Sequence, residues 1–436
     1  MLSHDENELM CRVGPRSAMG AIFRRHWLPV LESAELPAPD GDPVAVHVLG
    51  EHFVAFRDTN GQVGLLDEHC CHRGASLLLG RVEGCGIRCI YHGWKFGADG
   101  TVLETPNVPD AKFRTRVRAR AYPVQERGGL IWAYFGDPKE KPALPDWPWM
   151  NLPAANRINA YAVVNCNYVQ LMEGLVDSSH LNILHGSGLQ SASDSTLDFA
   201  SRVAGMQIDS TPRIEAEETE FGFHYAAIRS QQSADGSVQR SARIAAFITP
   251  CFIANPNGDL LFAIVPMDDT RTLFMHVWWD ATRPIGEEPL RSEQLKFVGL
   301  DEQTLSQYGM TKATCDSPAR PSRANYYLQD RASMRADRHF TGLPSFTQED
   351  AAVVISAGEI RDRTKEMLSV ADVAVGKLYR VLLKAARSVS DRRAGLVPSA
   401  DTLAHVVGID AALDADQHWQ ELVPSHRRAV SESSYT

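Results

Sequence analysis

Four of the eight cysteines in this chain lie between positions 70 and 89, and two of them are spaced from a histidine as metal ligands often are. Cys70 and His72 form a C-x-H pair, and Cys89 and His92 form a C-x-x-H pair. Residues two or three apart in a tight turn can converge on one metal. Two thiolates and two imidazoles suit a structural zinc ion. They equally suit a [2Fe–2S] cluster in which the thiolates hold one iron and the imidazoles the other.

The residues that follow each pair distinguish these two alternatives. Arg73-Gly74-Ala75 follow the first pair and Gly93-Trp94 follow the second, and a zinc site explains neither run. Here the sequence resembles the Rieske iron–sulfur family, in which C-x-H-R-G and C-x-x-H-G-W occur together. The resemblance implies a [2Fe–2S] cluster held by Cys70, His72, Cys89 and His92.

One position departs from the Rieske pattern. The residue between the first Cys and His of the family is usually Pro, and here it is Cys71. The spacing of the ligands is unchanged, but the second thiol opens the alternative that Cys71 replaces Cys70. We expect Cys70 to be the ligand, because C-x-H is the spacing of the family.

A second group of possible ligands lies about a hundred residues further along the chain. His180 and His185, joined by a distant carboxylate, would form a two-His, one-carboxylate site, which binds non-haem Fe(II) and leaves positions open for O2 and substrate. On an ideal helix these two histidines point about 140° apart. We therefore expect a π-type bulge or a broken last turn between them. Taken alone, both could be polar residues near a helix end, where His is favoured.

The two groups together extend the resemblance to almost the whole chain. The spacing D-x-x-H-x-x-x-x-H downstream of a Rieske motif resembles the large oxygenase subunit of the Rieske non-haem iron aromatic-ring hydroxylases, from about residue 10 to about residue 390. The run from Met172 to His180 is similar to the phthalate dioxygenase and chlorobenzoate dioxygenase branch in particular. Many relatives carry an Asn shortly before the Asp of this motif. Here Glu173 and Gly174 occupy that stretch, so no role of that Asn is transferred.

The third iron ligand is expected far downstream, where the resemblance points to an acidic pair. Asp350 is the implied ligand and Glu349 is the competing candidate. Both could instead be acids that stabilise the first turn of a helix.

The resemblance also gives Asp177 a role. In the family, the carboxylate at this position joins a cluster histidine of one subunit to an iron histidine of the next. Here that implies a bridge from His92 of one subunit to Asp177 and His180 of its neighbour, and Asp177 shares a helix face with His180. Such a bridge requires a closed ring of subunits, so a homotrimer or a hexamer of stacked trimers is expected.

The branch suggests a carboxylated aromatic ring as substrate, such as a phthalate or a chlorobenzoate. A buried planar carboxylate needs a cation, and Arg binds it through two parallel hydrogen bonds. Arg229, Arg243 and Arg202 lie in or near the predicted sheet. Arg243 is preferred because apolar strand residues follow it, although each arginine could simply face solvent.

The sequence lacks any motif for a nicotinamide or flavin cofactor, since no G-x-G-x-x-G follows a strand. The electrons must then come from a separate reductase, which the branch implies to be of the flavin and ferredoxin type. One alternative activity is a Rieske monooxygenase or O-demethylase of an aromatic acid. Another is an electron carrier without oxygenase activity, against which the second ligand group and the length of the chain both argue.

Composition excludes several other classes of protein. The chain has 436 residues and a net charge of −10, without a basic block, so a nucleic-acid partner is not expected. The chain contains no apolar run near the roughly 18 residues of a membrane span. Its N-terminus does not resemble a signal peptide, so we expect a cytoplasmic protein with free thiols rather than disulfides.

The predicted fold is of the α+β class. We expect a small antiparallel β domain of Rieske type and a catalytic domain whose antiparallel sheet wraps around helices, in the helix-grip manner. The predicted boundaries are an N-terminal helical segment over 1–40, the Rieske domain over 41–148, the catalytic domain over 149–395 and a polar tail over 396–436.

Local patterns predict the elements that hold these residues. Hydrophobic alternation predicts strands at 44–48, 53–57 and 160–166. Asn60-Gly61 predicts a hairpin turn, and a second hairpin is expected between 260–266 and 272–280. Two helices are expected to carry the second ligand group. One spans 168–185 and is ended by Gly186 and Gly188, and the other spans 348 to about 387.

Overall fold

The computed structural model describes residues 2–110, 112–192, 197, 211–232, 238–256, 259–390 and 397–424. The chain forms two compact units, one of Val13–Leu144 and one of Met1–Arg12 together with Pro145–Thr436. Within the described ranges, no helix has both the length and the apolar character that crossing a bilayer requires.

The elements are numbered in chain order. The strands are β1 Trp27–Glu32, β2 Val44–Val48, β3 Glu51–Arg57, β4 Val63–Asp67, β5 Arg81–Glu83, β6 Gly86–Arg88, β7 Lys95–Phe96, β8 Val102–Glu104, β9 Val124–Arg127, β10 Leu130–Tyr134, β11 Arg157–Val164, β12 Arg213–Thr219, β13 Gly222–Gln232, β14 Val238–Ile248, β15 Phe252–Asn255, β16 Leu260–Pro266, β17 Thr272–Trp279 and β18 Ile409–Leu413. The α-helices are α1 His4–Cys11, α2 Ala18–Arg24, α3 Tyr168–Leu175, α4 Leu181–Leu184, α5 Gly186–Ala192, α6 Leu290–Val298, α7 Glu302–Gln307, α8 Arg331–Arg335, α9 Phe346–Ser356, α10 Val373–Ser390 and α11 Ala400–Ala404.

The smaller unit, Val13–Leu144, is built from three small antiparallel sheets, in the orders β1-β10-β9, β2-β3-β4 and β5-β6-β7-β8. The predicted pairing of β2 with β3 is confirmed, as is the turn at Asn60-Gly61, where Gly61 has a φ of +82°. Strand β1 falls where a helical segment followed by a loop was expected. Its residues are buried almost continuously, and such a run has no alternation to reveal a strand.

The larger unit contains an eight-stranded antiparallel sheet in the order β11-β17-β16-β15-β14-β13-β12, with β18 paired to β14. The predicted hairpin of β16 and β17 is confirmed. The helix α10 contacts β12, and the helix α3 contacts β16. The structure combines antiparallel sheets with helices, which confirms the predicted α+β class. Strand β18 lies within the range for which a polar tail was predicted.

The helix expected over 168–185 is interrupted. Helix α3 ends at Leu175, and Asp177 then accepts hydrogen bonds from the backbone N–H and the hydroxyl of Ser179 at 2.7 and 2.6 Å. Such a local side-chain bond competes with the helical bond, which accounts for the break. The chain resumes as α4 and then α5, so Gly186 and Gly188 begin a helix instead of ending one.

The helix expected from 348 to about 387 is two helices, α9 and α10. Between them lies a polar connection in which Gly358 has a φ of +97°, a conformation that favours glycine and cannot continue a helix. The segment also contains Asp362, whose side chain accepts from the N–H of Thr364 at 3.1 Å. Local side-chain bonds of this kind again take the place of helical ones.

A buried ionic network joins this connection to α1 and α3. Arg363 is fully buried, and its guanidinium is hydrogen-bonded to Glu173 and, at 3.0 Å, to the side chain of Asn7. The hydroxyl of Tyr379 also donates to Glu173, at 2.7 Å. Burial of an ion pair is costly unless its remaining polar atoms are satisfied. Here Asn7 and Tyr379 satisfy part of them, while Nη2 of Arg363 has no hydrogen-bond partner among the described residues.

Replacing Arg363 by Met is expected to destabilise the larger unit, because Glu173 would keep a buried charge without its main partner. The free energy of unfolding should fall by about 3–5 kcal/mol, measured by urea unfolding followed through tryptophan fluorescence. Lys365→Ala is the matched control, since Lys365 is exposed and close in sequence. Equal unfolding midpoints for the two variants would contradict a stabilising role for the network.

Candidate metal centres

The first candidate centre lies in the smaller unit, on two loops with the same hydrogen-bond pattern. In the first loop, the N–H of Cys70 donates to the carbonyl five residues later, and the N–H of Gly74 donates back to Cys70, both at 2.8 Å. The second loop repeats both bonds from Cys89 and Gly93, at 2.9 and 3.0 Å. Both glycines have a φ of +74°, which favours glycine at these positions.

The side chains of the two loops separate into a pair of thiols and a pair of imidazoles. Cys70 and Cys89 are buried, and burial, with a further contribution from the Cys89 thiol, raises the pKa of Cys70 to about 11. The rings of His72 and His92 lie 4.6 Å apart and are partly exposed. The ring of His72 also stacks on Trp94 at 4.4 Å. Two thiolates on one side and two imidazoles on the other are the donor set of a cluster with two irons.

A single zinc ion fits these residues less well. Four ligands on one ion would bring all their donor atoms close together. Among the described residues, the group whose ligand atoms all lie within 4.8 Å of one another is in the larger unit and includes none of these four. Cys71, the alternative ligand, is exposed, whereas Cys70 is buried beside the thiol of Cys89.

The second candidate centre is that group, which consists of His180, His185 and Asp350. An oxygen of Asp350 lies 3.1 Å from Nε2 of His185 and 3.8 Å from Nε2 of His180. The imidazole rings are 5.2 Å apart and nearly perpendicular. Two imidazoles and one carboxylate that face a common point form the donor set of a non-haem Fe(II) site.

Of the two expected routes that would bring the histidines together, a π-type bulge or a broken last turn, the backbone resembles the second. His180 precedes the one-turn helix α4, and His185 follows it with a φ of −97° and a ψ of 11°. The chain is thus broken before His180 and bends again at His185, while the turn between them is regular. This bend lets two rings five residues apart face the same point.

The carboxylates of Glu349 and Asp350 lie on opposite sides of the His185 ring. Asp350 lies at Nε2, whereas Glu349 accepts from Nδ1 at 2.7 Å. Glu349 is almost fully buried and also accepts from the hydroxyl of Thr341 at 2.6 Å. Burial opposes a charge on His185, but the two carboxylates outweigh it and raise its pKa to about 10. Glu349, considered above as a ligand, therefore sits behind the imidazole, where it fixes the ring orientation.

Asp177 lies beside the iron-site histidine on the side away from Asp350. Its carboxylate is 3.4 Å from Nδ1 of His180. Burial would raise the pKa of Asp177, but the hydrogen bonds from His180 and Ser179 outweigh that effect, and the pKa lies below its usual value. The side chain lines the cavity described next and also an open groove, which is bordered by α3, by α9 and by the connection between α9 and α10.

A cavity opens beside the second centre and encloses about 830 Å³ of space outside the protein atoms, part of it open to solvent. Its lining includes the three candidate ligands and a largely apolar wall. The apolar lining residues are Leu175, Leu181, Leu189, Leu260, Phe262, Phe274, Trp278, Val298 and Phe346.

Of the three arginines predicted to bind substrate, one lines this cavity. Arg243 does so, is buried, and donates from Nη1 to Asp410 at 2.7 Å. Arg229 is buried on β13 but is not among the described residues that line the cavity. Arg202 lies outside the described residues.

One polar residue of the cavity wall, His276 on β17, was not identified from the sequence. It is buried, and burial lowers its pKa to about 3, so the ring is neutral. The signal in the sequence is a single histidine between Phe274 and Trp278 on the same strand face. The other residues of that face are apolar, as in an ordinary core strand.

Two family models match the chain. One, described as "LigXa C-terminal domain like", matches residues 133–434, and the other, described as "Rieske [2Fe-2S] domain", matches residues 26–122. Each match contains one of the two candidate centres.

Known proteins similar to the chain are oxygenase subunits. The oxygenase subunit of phthalate 4,5-dioxygenase from Pseudomonas putida is 36% identical over 88% of this chain and 86% of its own length. That of 3-chlorobenzoate-3,4-dioxygenase from Comamonas testosteroni is 35% identical over 88% of each chain. A crystal structure of dicamba monooxygenase bound to dicamba shares the fold, with a TM-score of 0.55 and 19% identity, over 85% of this chain and 99% of that one.

Replacing Glu349 by Gln is expected to weaken iron binding at the second centre. Gln keeps the size of the side chain but removes the charge that orients His185, and losses of this kind typically cost about 10–100-fold in metal affinity. Iron retained against a chelator would be measured, with the visible absorption of the cluster as a check on the first centre. His185→Ala, which removes a ligand, should reduce about three irons per chain to about two.

The exposed His405 provides the control, since His405→Ala should leave the iron content unchanged. If Glu349→Gln kept the iron affinity of the unmodified chain, the carboxylate would have no influence on the metal.

Proposed function

This chain belongs to the large oxygenase subunits of the Rieske non-haem iron aromatic-ring hydroxylases, in the branch of the phthalate and chlorobenzoate dioxygenases, and on that premise we propose that it hydroxylates an aromatic carboxylate. The reaction would consume O2 and electrons, with a Rieske [2Fe–2S] cluster and a mononuclear Fe(II) as cofactors.

The observation that carries this proposal is the convergence of His180, His185 and Asp350 at the edge of an apolar cavity. Iron bound there would supply the activation of O2. The protein contributes a fixed donor set, a carboxylate behind one ligand and a largely apolar wall. An electron carrier would need none of these features.

The cavity favours a flat apolar substrate with an acidic group. Phe262, Phe274 and Phe346 provide aromatic faces, and Arg243 is the one Arg or Lys among the described lining residues. Its Nη1 is engaged by Asp410, which leaves its other N–H donors for a ligand carboxylate. We keep Arg243 as the proposed carboxylate partner, and a contribution from Arg229 stays a prediction.

Turnover with labelled dioxygen tests this function. The holoenzyme, supplied with a flavin and ferredoxin type reductase, would be screened with benzoate, chlorobenzoates, phthalate isomers and hydroxybenzoates under ¹⁸O2. A dioxygenase places both labelled atoms in a cis-dihydrodiol or in the catechol derived from it. One labelled atom in a new phenolic hydroxyl would instead assign ring monooxygenation, and release of labelled formaldehyde from a methoxyl group, with an unlabelled phenol, would assign O-demethylation.

We further propose that Asp177 carries electrons from the cluster of a neighbouring subunit. It contacts His180 and lines both the groove and the cavity, so it occupies the boundary between the protein surface and the iron site. A fixed carboxylate between two imidazoles would hold their orientation. The cluster histidine on the other side would be His92 of the next subunit.

Exposed apolar residues support a subunit contact at this groove. Met367 is 92% exposed and lines the groove, and Val370, 89% exposed, lies close to it in sequence. On the smaller unit, Ile90 and Tyr91 are exposed directly before His92. Apolar patches of this kind mark interaction surfaces. Their pairing around a ring of subunits would give a homotrimer, which can stack into a hexamer.

The proposed electron source is a separate reductase, because the chain carries a cluster and an iron site but no nucleotide-binding motif. We place the protein in the cytoplasm, where the six cysteines that do not hold the proposed cluster would stay reduced.

Replacing Asp177 by Asn is expected to slow electron transfer to the iron on the order of a hundredfold, because the group that aligns the two imidazoles loses its charge. The measurement is the rate at which the pre-reduced cluster is re-oxidised in a single turnover with substrate and O2. Both metal contents should be unchanged.

Asp372 lines the same groove, so Asp372→Asn is the matched control and should keep the rate of the unmodified protein. If the two variants behaved alike, the proposed bridge would have to be abandoned.

A further inference from the structure

A strip of positive charge runs along the surface of the smaller unit. Alternate positions of one segment carry basic side chains, and all five of them are exposed: Lys112, Arg114, Arg116, Arg118 and Arg120. The segment contains no acidic residue. A neutral residue separates each cation from the next, so the sequence shows no contiguous basic block there. These five residues are called the basic strip below.

The apolar residues between these cations pack toward the candidate cluster. Phe113 and Val117 lie against the hydrophobic core that also contains both thiols of the cluster motif. The ring of Phe113 is 5.6 Å from that of Trp94, which in turn stacks on the ring of His72. The basic strip is therefore the outer surface of a wall whose inner surface is the core around the cluster site.

The protein itself neutralises little of this charge. Among the described residues, Arg118 is the member of the basic strip that forms an ion pair, with Asp99 at 2.8 Å. Arg114 donates to the carbonyl of Leu103, also at 2.8 Å, which leaves its charge in place. Like charges this close in sequence repel one another, and an anionic partner would relieve that repulsion.

An open depression at one end of the basic strip offers a concave seat for acidic side chains. Its charged lining residues are Arg118, Arg120, Lys141, Asp99 and Glu126. Both acids are already paired with arginines, at 2.8 and 2.9 Å. Among the described residues, Arg120 and Lys141 form no ion pair, so the depression keeps a positive charge.

The charge of the whole chain has the opposite sign. The range Val13–Leu144 has 16 Lys and Arg against 15 Asp and Glu, whereas the full sequence has 44 against 54. An acidic partner is thus repelled by the chain as a whole and attracted at the basic strip. Charge asymmetry of this kind orients an approaching protein.

We propose that the basic strip is the docking surface for an acidic face of the reductase that reduces the cluster. A reduced iron–sulfur or flavin group beneath that face gives up one electron and the oxidised cluster gains it, and no bond forms or breaks. A row of arginines also suits nucleic acid, but the packing of this segment against the cluster core favours an electron donor. The inference rests on the proposed function only in needing a separate reductase.

The test compares Arg116→Glu with Arg16→Glu in the full-length holoenzyme. Both arginines are exposed in the smaller unit and both substitutions reverse one charge, but Arg16 lies outside the basic strip. The probe is the flavin and ferredoxin type reductase used in the turnover screen. Calorimetry measures its binding, and stopped-flow bleaching of the visible absorption measures cluster reduction. Arg116→Glu should weaken binding on the order of tenfold and slow cluster reduction at limiting reductase equally, whereas Arg16→Glu should change neither.

Two further measurements separate docking from damage to the cluster. Photoreduced deazaflavin, a small reductant that needs no docking surface, should reduce the cluster at the same rate in all three proteins. At about 1 M salt, where charges are screened beyond about 3 Å, the reductase should bind the unmodified protein as weakly as Arg116→Glu. Lys112→Glu should repeat the result of Arg116→Glu and decides the question if Arg116→Glu disturbs the cluster. Equal reductase binding by the strip variants and Arg16→Glu would overturn the proposal.

The remaining outcomes distinguish this proposal from its competitor and from the proposed function. If a short duplex DNA bound more tightly than the reductase, and lost that affinity in Arg116→Glu, the basic strip would be a nucleic-acid site and the proposal would fall. If the reductase reduced the cluster in a manner that depended on Arg116, but no aromatic acid was turned over, the hydroxylation would be wrong and the docking surface would stand. If deazaflavin reduced the unmodified cluster and the reductase did not, the docking surface would be wrong.

Discussion

The iron site depends on one constraint, namely that two imidazoles and a carboxylate from distant segments must meet at one point and keep their orientation. His185 and Glu349 are 164 residues apart in sequence, and the 2.7 Å bond between them fixes the imidazole from behind. The neighbouring Asp350 then approaches the same ring from the other side. Because two successive residues of α9 hold both nitrogens of one histidine, a shift of this helix would disturb ligand and support together.

The cluster site meets its own constraint by different means. Each loop is closed by the same two backbone hydrogen bonds, although one motif has a single residue between Cys and His and the other has two. The loops bury their thiols and leave their imidazoles near the surface. A centre that passes electrons to another subunit needs this arrangement, because the histidines near the surface are the ligands that the other subunit can contact.

The sequence predicted the cluster site more fully than the iron site. The Cys70 and Cys89 motifs are local, so their spacing and the residues that follow them carried the family resemblance from which the four ligands were predicted. The third iron ligand was implied only by resemblance, since adjacent acids at 349 and 350 look equivalent until the fold turns them to opposite nitrogens of one ring. The helix break at Asp177 escaped because its cause is a side-chain bond to Ser179, which competes with a propensity that favours helix. His276 escaped because a histidine in an apolar strand is usually part of the core.

The strand β18 connects the substrate cavity with a part of the chain remote from the iron. Asp410 on this strand holds the guanidinium of Arg243, which sits directly opposite it on β14. If Arg243 binds the substrate as proposed, an incoming carboxylate would meet an arginine that already has an anionic neighbour and would share its guanidinium with Asp410. Substitutions in β18 would consequently change which acids bind, while the residues of the iron site stay unchanged.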